Sequence, residues 1–189
     1  MKKISISSLA IMLLFSAMLF LVPHKANATL ATPDDFGGFN IIFRLYNPNS
    51  GEHFYTGVED EGQNLEDAGW TVEGFGWIAP VTGVPVFRLY NPNAGDHHYT
   101  VDTNERDFLK TKGWNYEGIA FYSDGDIPVY RAYNPNATGA GAHNYTTDKN
   151  EQANLVSKGW KDEGISFYGL MAGMSIQEMQ AKYPDAWND

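Results

Sequence analysis

Apolar and polar residues alternate along Val86-Phe87-Arg88-Leu89-Tyr90, with Phe87 and Leu89 on one face and Arg88 and Tyr90 on the other. That period of two predicts a strand. Asn91-Pro92-Asn93 and Gly95 then supply turn chemistry, because Pro fixes φ while Asn and Gly tolerate the left-handed region. His97-His98-Tyr99-Thr100 follows as a short return strand, so the two segments predict a hairpin. A short helix is expected next: Asp102 and Glu105 make a D-x-x-E start with Asp102 as N-cap, and Gly113 stands where a helix ends. Tyr116 to Tyr122 reads as a closing strand.

The same pattern occurs three times, with a period of about 44 residues. Phe43-Arg44-Leu45-Tyr46-Asn47-Pro48 returns as Phe87 to Pro92 and again as Tyr130-Arg131-Ala132-Tyr133-Asn134-Pro135. His53-Phe54-Tyr55-Thr56 matches His97 to Thr100 and His143-Asn144-Tyr145-Thr146, the third copy carrying three extra residues before it. Fourteen residues beyond each Thr stands Trp70, Trp114 or Trp160, each after a Gly, and Glu73, Glu117 and Glu163 each precede a Gly. Asp148 and Glu151 repeat the helix start, whereas Val58 takes the place of the capping Asp in copy one. One copy exposes too much apolar face to stand alone. The expectation is therefore a mostly β domain with a short helix per repeat. Its three repeats (41–84, 85–127, 128–170) close with pseudo-threefold symmetry, β-trefoil-like or as a three-bladed propeller-like ring.

The ends differ from the repeats. Lys2 and Lys3, the apolar run Leu9 to Val22 and Ala26-Asn27-Ala28 predict a secretory signal peptide over 1–28, cleaved after Ala28. Residues 29–40 read as a flexible lead-in and 171–189 as a C-terminal helical tail. In that tail Ser175-Ile176-Gln177-Glu178 forms a capping box ahead of Met179 and Tyr183. The protein is thus expected to be secreted, extracellular or cell-wall associated, with no membrane contact after cleavage.

Charge narrows the partners. The chain carries 13 Lys and Arg against 23 Asp and Glu, a net charge of −10, and no cysteine. The leader holds Lys2, Lys3 and Lys25 and no acid, so the mature chain stands near −13. Such a surface repels nucleic acid and anionic headgroups, while neutral glycans remain compatible.

Candidate chemistry also comes in threes. Arg44, Arg88 and Arg131 share strand faces with Tyr46, Tyr90 and Tyr133, and a guanidinium so placed needs a carboxylate or carbonyls for its donors. Glu73, Glu117 and Glu163 are the recurring carboxylates. They are expected as a structural Arg–Glu pair locking each unit to its neighbour, with a polar ligand site as the other reading. His53, His97 and His143 are in register and are expected with these Arg and Tyr at the ligand sites; convergence on one axis would allow zinc, yet no H-x-x-x-H spacing supports it. Trp70, Trp114 and Trp160 are expected in the interior with Leu65, Leu109 and Leu155, the alternative being sugar-stacking platforms. Tyr55, Tyr99 and Tyr145, together with the Tyr of Tyr-Asn-Pro, sit beside turns and are expected at a ligand surface. No G-x-S-x-G, H-E-x-x-H or Cys nucleophile is present, so no catalytic residue, cofactor or metal site is assigned.

The run Tyr/Phe-Arg-x-Tyr-Asn-Pro, His-x-Tyr-Thr, Gly-Trp and Glu-Gly-x-x-Phe-Tyr resembles a repeat family of secreted bacterial and fungal proteins catalogued as a domain of unknown function. The resemblance spans Phe43 to Tyr168. It implies an accessory module that binds an extracellular glycan or cell-surface component, and it carries over no catalytic residues. Copy one departs with Trp77-Ile78 for the terminal Phe-Tyr, and copy three with its longer loop and Ala132. The function expected is a non-catalytic binding module for cell-wall or other extracellular glycans. The alternatives are a secreted glycan or peptidoglycan hydrolase and an extracellular protein-interaction domain.

Overall fold

The computed structural model describes residues 38–175 without a break, together with Phe20–Leu21, Leu30–Ala31, 177–178 and 181. The expected leader and lead-in otherwise lie outside the described residues, as does most of the expected C-terminal helix. Of that helix the capping box is seen: Glu178 N–H donates to Ser175 Oγ at 3.2 Å, and Ser175 N–H donates to Glu178 Oε2 at 2.7 Å.

The body consists of three units with one element order, strand–strand–helix–strand. Unit one comprises β1 (Phe39–Tyr46), β2 (His53–Thr56), α1 (Glu59–Asp67) and β3 (Thr71–Pro80). Unit two comprises β4 (Val84–Asn91), β5 (Asp96–Thr100), α2 (Thr103–Thr111) and β6 (Asn115–Ser123). Unit three comprises β7 (Ile127–Tyr133), β8 (His143–Thr146), α3 (Lys149–Ser157) and β9 (Lys161–Gly169). A final strand, β10 (Met171–Ser175), follows, so the segment 171–189 expected as a helical tail begins instead as a strand paired to β3. The strands form separate antiparallel sheets ordered β2-β1-β3-β10, β5-β4-β6 and β8-β7-β9. The mostly β expectation with one short helix per repeat holds, but these sheets make no closed barrel. A β-trefoil shares strands between its repeats in a barrel, whereas here each unit keeps its hairpin and closing strand in its own sheet.

Local chemistry explains each element. Asn47, Asn91 and Asn134 side chains accept backbone N–H groups two residues on, at 2.9, 3.0 and 3.0 Å, which folds the Asn-Pro turns. Asp102 and Asp148 cap α2 and α3 by accepting the N–H of Asn104 and Asn150, both at 2.7 Å. Val58 offers α1 no side-chain cap. The closing strands are bulged. Arg44 pairs with Gly74 and Leu45 with Val72, leaving Glu73 as the extra residue; Arg88 and Leu89 likewise pair with Gly118 and Tyr116, leaving out Glu117. Gly74 and Gly118 take φ of 130° and 106°, a conformation that excludes most side chains and turns the bulge.

The core between the units is built from matched triplets. Ile42, Val86 and Val129, then Tyr55, Tyr99 and Tyr145, then Trp77, Phe121 and Phe167 are all buried in one cluster. The three Tyr rings lie 5.5 to 5.6 Å apart pairwise, and the Trp77, Phe121 and Phe167 rings 5.3 to 5.6 Å apart. Each Tyr stacks on the ring of its own unit, at 5.3, 5.8 and 5.8 Å. Two triangles of aromatic rings thus lie one on the other. A satellite cluster of Ile41, Phe43, Leu45, Phe54, Phe75 and Ile78 fills unit one, with Met171 and Met174 of β10 packed against it.

The tyrosine hydroxyls close a cycle. Tyr99 Oη accepts the Tyr55 N–H at 3.1 Å and donates to the Tyr55 carbonyl at 2.9 Å. Tyr145 Oη does the same for Tyr99, at 3.0 and 2.9 Å, and Tyr55 Oη for Tyr145, at 3.0 and 2.8 Å. Strands β2, β5 and β8 each pair on one side only, so each hydroxyl satisfies an edge that burial would otherwise leave bare. Tyr99→Phe keeps the ring but strips the partner from one buried N–H and one buried C=O. At about 1–3 kcal/mol per orphaned group, it is expected to cost about 2–6 kcal/mol in denaturant unfolding; a loss below about half a kcal/mol would contradict this role.

Candidate functional site

The bulge at each Glu-Gly brings the glutamate beside the arginine of its own unit. Arg44 Nε lies 2.7 Å from Glu73, Arg88 Nε 2.7 Å from Glu117, and Arg131 Nε 2.7 Å from Glu163. The outer guanidinium nitrogens face another unit. Arg44 grips Glu151 at 2.8 and 2.9 Å, Arg88 grips Glu61 at 2.9 Å through both nitrogens, and Arg131 reaches Glu105 at 3.0 and 3.2 Å. Each arginine therefore sits between an internal carboxylate and one from the first turn of a neighbouring helix. The link between units runs through Glu61, Glu105 and Glu151, not through the recurring Glu73, Glu117 and Glu163 expected to supply it.

The sequence did carry a signal for these helix glutamates, since Glu105 and Glu151 complete D-x-x-E starts. A capping box would bind them to the N-cap N–H. That N–H goes instead to a threonine: Val58, Asp102 and Asp148 each donate to the Oγ1 of Thr56, Thr100 and Thr146 at 3.0 Å. The glutamates are thereby released to meet arginine. Burial alone would raise the pKa of Glu61, but hydrogen bonds from Arg88 and Thr56 hold it below the usual carboxylate range. Burial is likewise overcome at Glu105 by His98, Thr100 and Arg131, and at Glu151 by Arg44 and Thr146. In units one and two the middle residue of His-x-Tyr-Thr also touches an arginine of another unit, a role not read from the sequence: Phe54 lies 5.0 Å beneath the Arg88 guanidinium and His98 Nε2 3.3 Å from Arg131. In unit three Asn144 donates instead to Glu151 of its own unit, at 3.4 Å.

The register histidines do not converge. His53 Nε2 lies 3.2 Å from Arg44 and 3.3 Å from Glu73, His97 Nδ1 faces Glu52, and His143 packs its ring 4.5 Å from His98. Burial, with the charges of His98 and Arg131, lowers His143 to about 3. Among the described residues no group of three or more His, Asp or Glu side chains is placed to hold a metal ion. Tyr46, Tyr90 and Tyr133 tilt against His53, His97 and His143 at 5.0, 4.9 and 5.3 Å, half-buried. Tyr55, Tyr99 and Tyr145 correct an expectation. Flanking turns predict a surface position for them, but they are at most 1% exposed. The free edge of each return strand faces another unit, and burial pushes all three phenols upward.

A second set of contacts breaks the equivalence of the units. Buried Glu52 accepts the His97 N–H at 3.0 Å, and buried Asp96 accepts the Gly141 N–H at 2.8 Å. The matching residue of unit three is Ala142, which has no carboxylate to offer. Near this seam the three Asn-Pro loops border an open cleft of about 540 Å³. Ser50 and Gly51 come from unit one and Ala94 from unit two. Unit three contributes Asn134, Asn136, Thr138 and the half-buried Trp160. Trp70 packs instead on the unit-one core, and Trp114 meets the edge of His98 at 6.0 Å.

These features define a mostly β domain of three hairpin–helix–strand units held by a tyrosine cycle and arginine bridges. Residues 41–170 match the family described as a domain of unknown function, DUF5648, and the chain belongs to that family. No curated protein and no solved structure matches it.

Asp96 gives the site a pH signature. Burial raises it to about 6, the negative charge of Glu52 adds to this, and the Gly141 N–H opposes it. A raised carboxyl is protonated in the fold while the unfolded chain is already ionised, so stability from this group is full below about pH 4. It is lost as pH rises to about 6 and is level beyond. Asp96→Asn removes that loss. Its stability advantage should grow between pH 4 and 6 to at most about 3 kcal/mol and then stay constant, as read by denaturant unfolding across pH. An advantage independent of pH would contradict the assignment.

Proposed function

We propose that the protein is a secreted, non-catalytic binding module whose ligands are neutral extracellular or cell-wall glycans, taken in the cleft between the Asn-Pro loops. The observation that carries this reading is the composition of that cleft. Trp160 offers an indole face for the C–H side of a sugar ring, while Asn134, Asn136 and Thr138 offer amides and a hydroxyl around it. The acidic net charge of the chain suits an uncharged ligand.

The candidate residues divide into scaffold and rim. Arg44, Arg88 and Arg131 spend their donors on glutamates, and Tyr55, Tyr99 and Tyr145 spend their hydroxyls on backbone, so these serve the scaffold. Tyr46, Tyr90 and Tyr133 with His53, His97 and His143 remain a half-buried second rim. Hydrolysis is less well supported, because the repeated glutamates are committed to arginine and none is free as the proton-donating acid that a glycosidase needs. Closure belongs to the same reading. Two aromatic triangles and cyclic bridges are what three repeats around a pseudo-threefold axis would produce, in a three-bladed, propeller-like ring. Copy three, with its longer loop, would then set the single asymmetric cleft.

A glycan array probed with the mature chain tests this. Binding to neutral glycans is expected, weakened about tenfold by Trp160→Ala with the melting temperature unchanged. Absence of binding to every glycan, or equal binding by the variant, would overturn it.

A further inference from the structure

Strand β10 lies on the outer edge of β3, with Met171 opposite Ile78, Ala172 opposite Trp77, Met174 opposite Phe75 and Ser175 opposite Gly74. It lies in a groove whose other wall is the loop entering α3: Gly173 N–H donates to Thr147 Oγ1 at 2.8 Å, and that hydroxyl donates to the Gly76 carbonyl at 3.3 Å. Among the described residues the corresponding edges of β6 and β9 carry no strand, each pairing on one side alone. The difference registers on a single position of the repeat. Phe75, under β10, is 2% exposed, while its counterparts Ile119 and Ile165 are 48% and 47% exposed.

The equivalent groove in unit two is open. It is a cavity of about 140 Å³ lined by Thr56, Val58, Glu61, Arg88, Ile119 and Ala120, which correspond to Thr146, Asp148, Glu151, Arg44, Phe75 and Gly76 around β10. Val58 makes this groove differ from the third. The other two helices begin on an aspartate whose side chain caps them, and α1 begins on a valine that caps nothing and stands 57% exposed. A valine there forgoes the cap and stays mostly exposed in the fold. It does border an unpaired β edge, beside Ile119 and Ala120. The unit-three groove carries Asp102 and Ser166 instead.

We propose that the groove between β6 and the loop entering α1 is a docking site for an extended segment of another protein, added as a fourth strand beside β6. The occupant's chemistry follows from the strand that fills the equivalent place. Unpaired N–H and C=O groups along β6 call for a polypeptide backbone, the mode of recognition in which main-chain bonds give affinity and alternate side chains give selectivity. At Gly173 a Cβ would run into the carbonyl of Gly76, so the segment is small at its centre. The exposed Val58 and Ile119 take uncharged, methionine-sized side chains on either side of that residue. The partner is a separate protein, because the chain's own strand of this kind is already seated on β3.

An acetylated, amidated peptide with the sequence of residues 170–176 is the probe, titrated into the isotope-labelled mature chain and followed by amide shifts. One peptide should bind per chain, shifting Val58 and Asn115 to Phe121. The same peptide carrying Gly173→Val should bind about tenfold more weakly. Val58→Asp restores the cap that the other helices carry, so it should raise the melting temperature while abolishing peptide binding. Ile119→Glu should abolish binding from the opposite wall. Shifts confined to Gly74 to Ile78, meaning exchange with β10, would overturn the proposal. So would self-association in place of peptide binding, the absence of saturable shifts at millimolar peptide, or undiminished binding by both variants.

Discussion

A buried phenol that both donates to and accepts from the backbone of the next strand is the constraint on which this molecule depends. Each return strand is four or five residues long and pairs on one side. Left alone, its outer edge would need water, and no core could form against it. A hydroxyl from another unit supplies both a donor and an acceptor at one atom, so that edge can be buried. The arrangement is satisfied only when all three units are present, since each tyrosine serves a neighbour and is served by the remaining one. Tyr at this position is thus a backbone partner first and a ring second.

The arginine bridges follow from the same geometry. Bringing the return strands together places the first turn of each helix beside the arginine strand of another unit. The bulge at Glu-Gly then supplies the second carboxylate from within. Each of these three guanidiniums is divided between its own unit and a neighbour, which makes the ion pairs a readout of assembly as well as a contribution to it. Desolvation offsets much of the attraction in paired, partly buried charges of this kind. The units depart from one another at the loop end, where Glu52 and Asp96 have no third counterpart, and at the outer edges, where among the described residues β3 alone receives a strand. Those two places are where a repeated scaffold becomes asymmetric, and they are where the binding surfaces proposed above lie.

Much of the fold was legible in the sequence because repetition exposes register. The hairpins, the helix caps at Asp102 and Asp148 and the companionship of Arg88 with Glu117 all follow from residue type and spacing. What spacing could not reveal is which free edge faces solvent and which faces another copy. Tyr99 was therefore expected beside a turn at the surface. Glu105 was legible as a helix-start residue but not as an arginine partner, because the threonine that takes over its N–H lies outside the local motif. Strand β10 has no counterpart in the repeat, so nothing in the periodicity announced it. The barrel of a trefoil was suggested by copy number and repeat length, and neither quantity records whether strands are shared between units.

Amide hydrogen exchange at Tyr55, Tyr99 and Tyr145 tests the central account most directly. If the hydroxyl cycle holds three units as one cooperative body, these amides open only when the whole domain unfolds, so the three share one opening free energy, equal to that of global unfolding. Three distinct opening free energies, or any one well below the global value, would mean that the units stand independently and that the cycle does not hold them together.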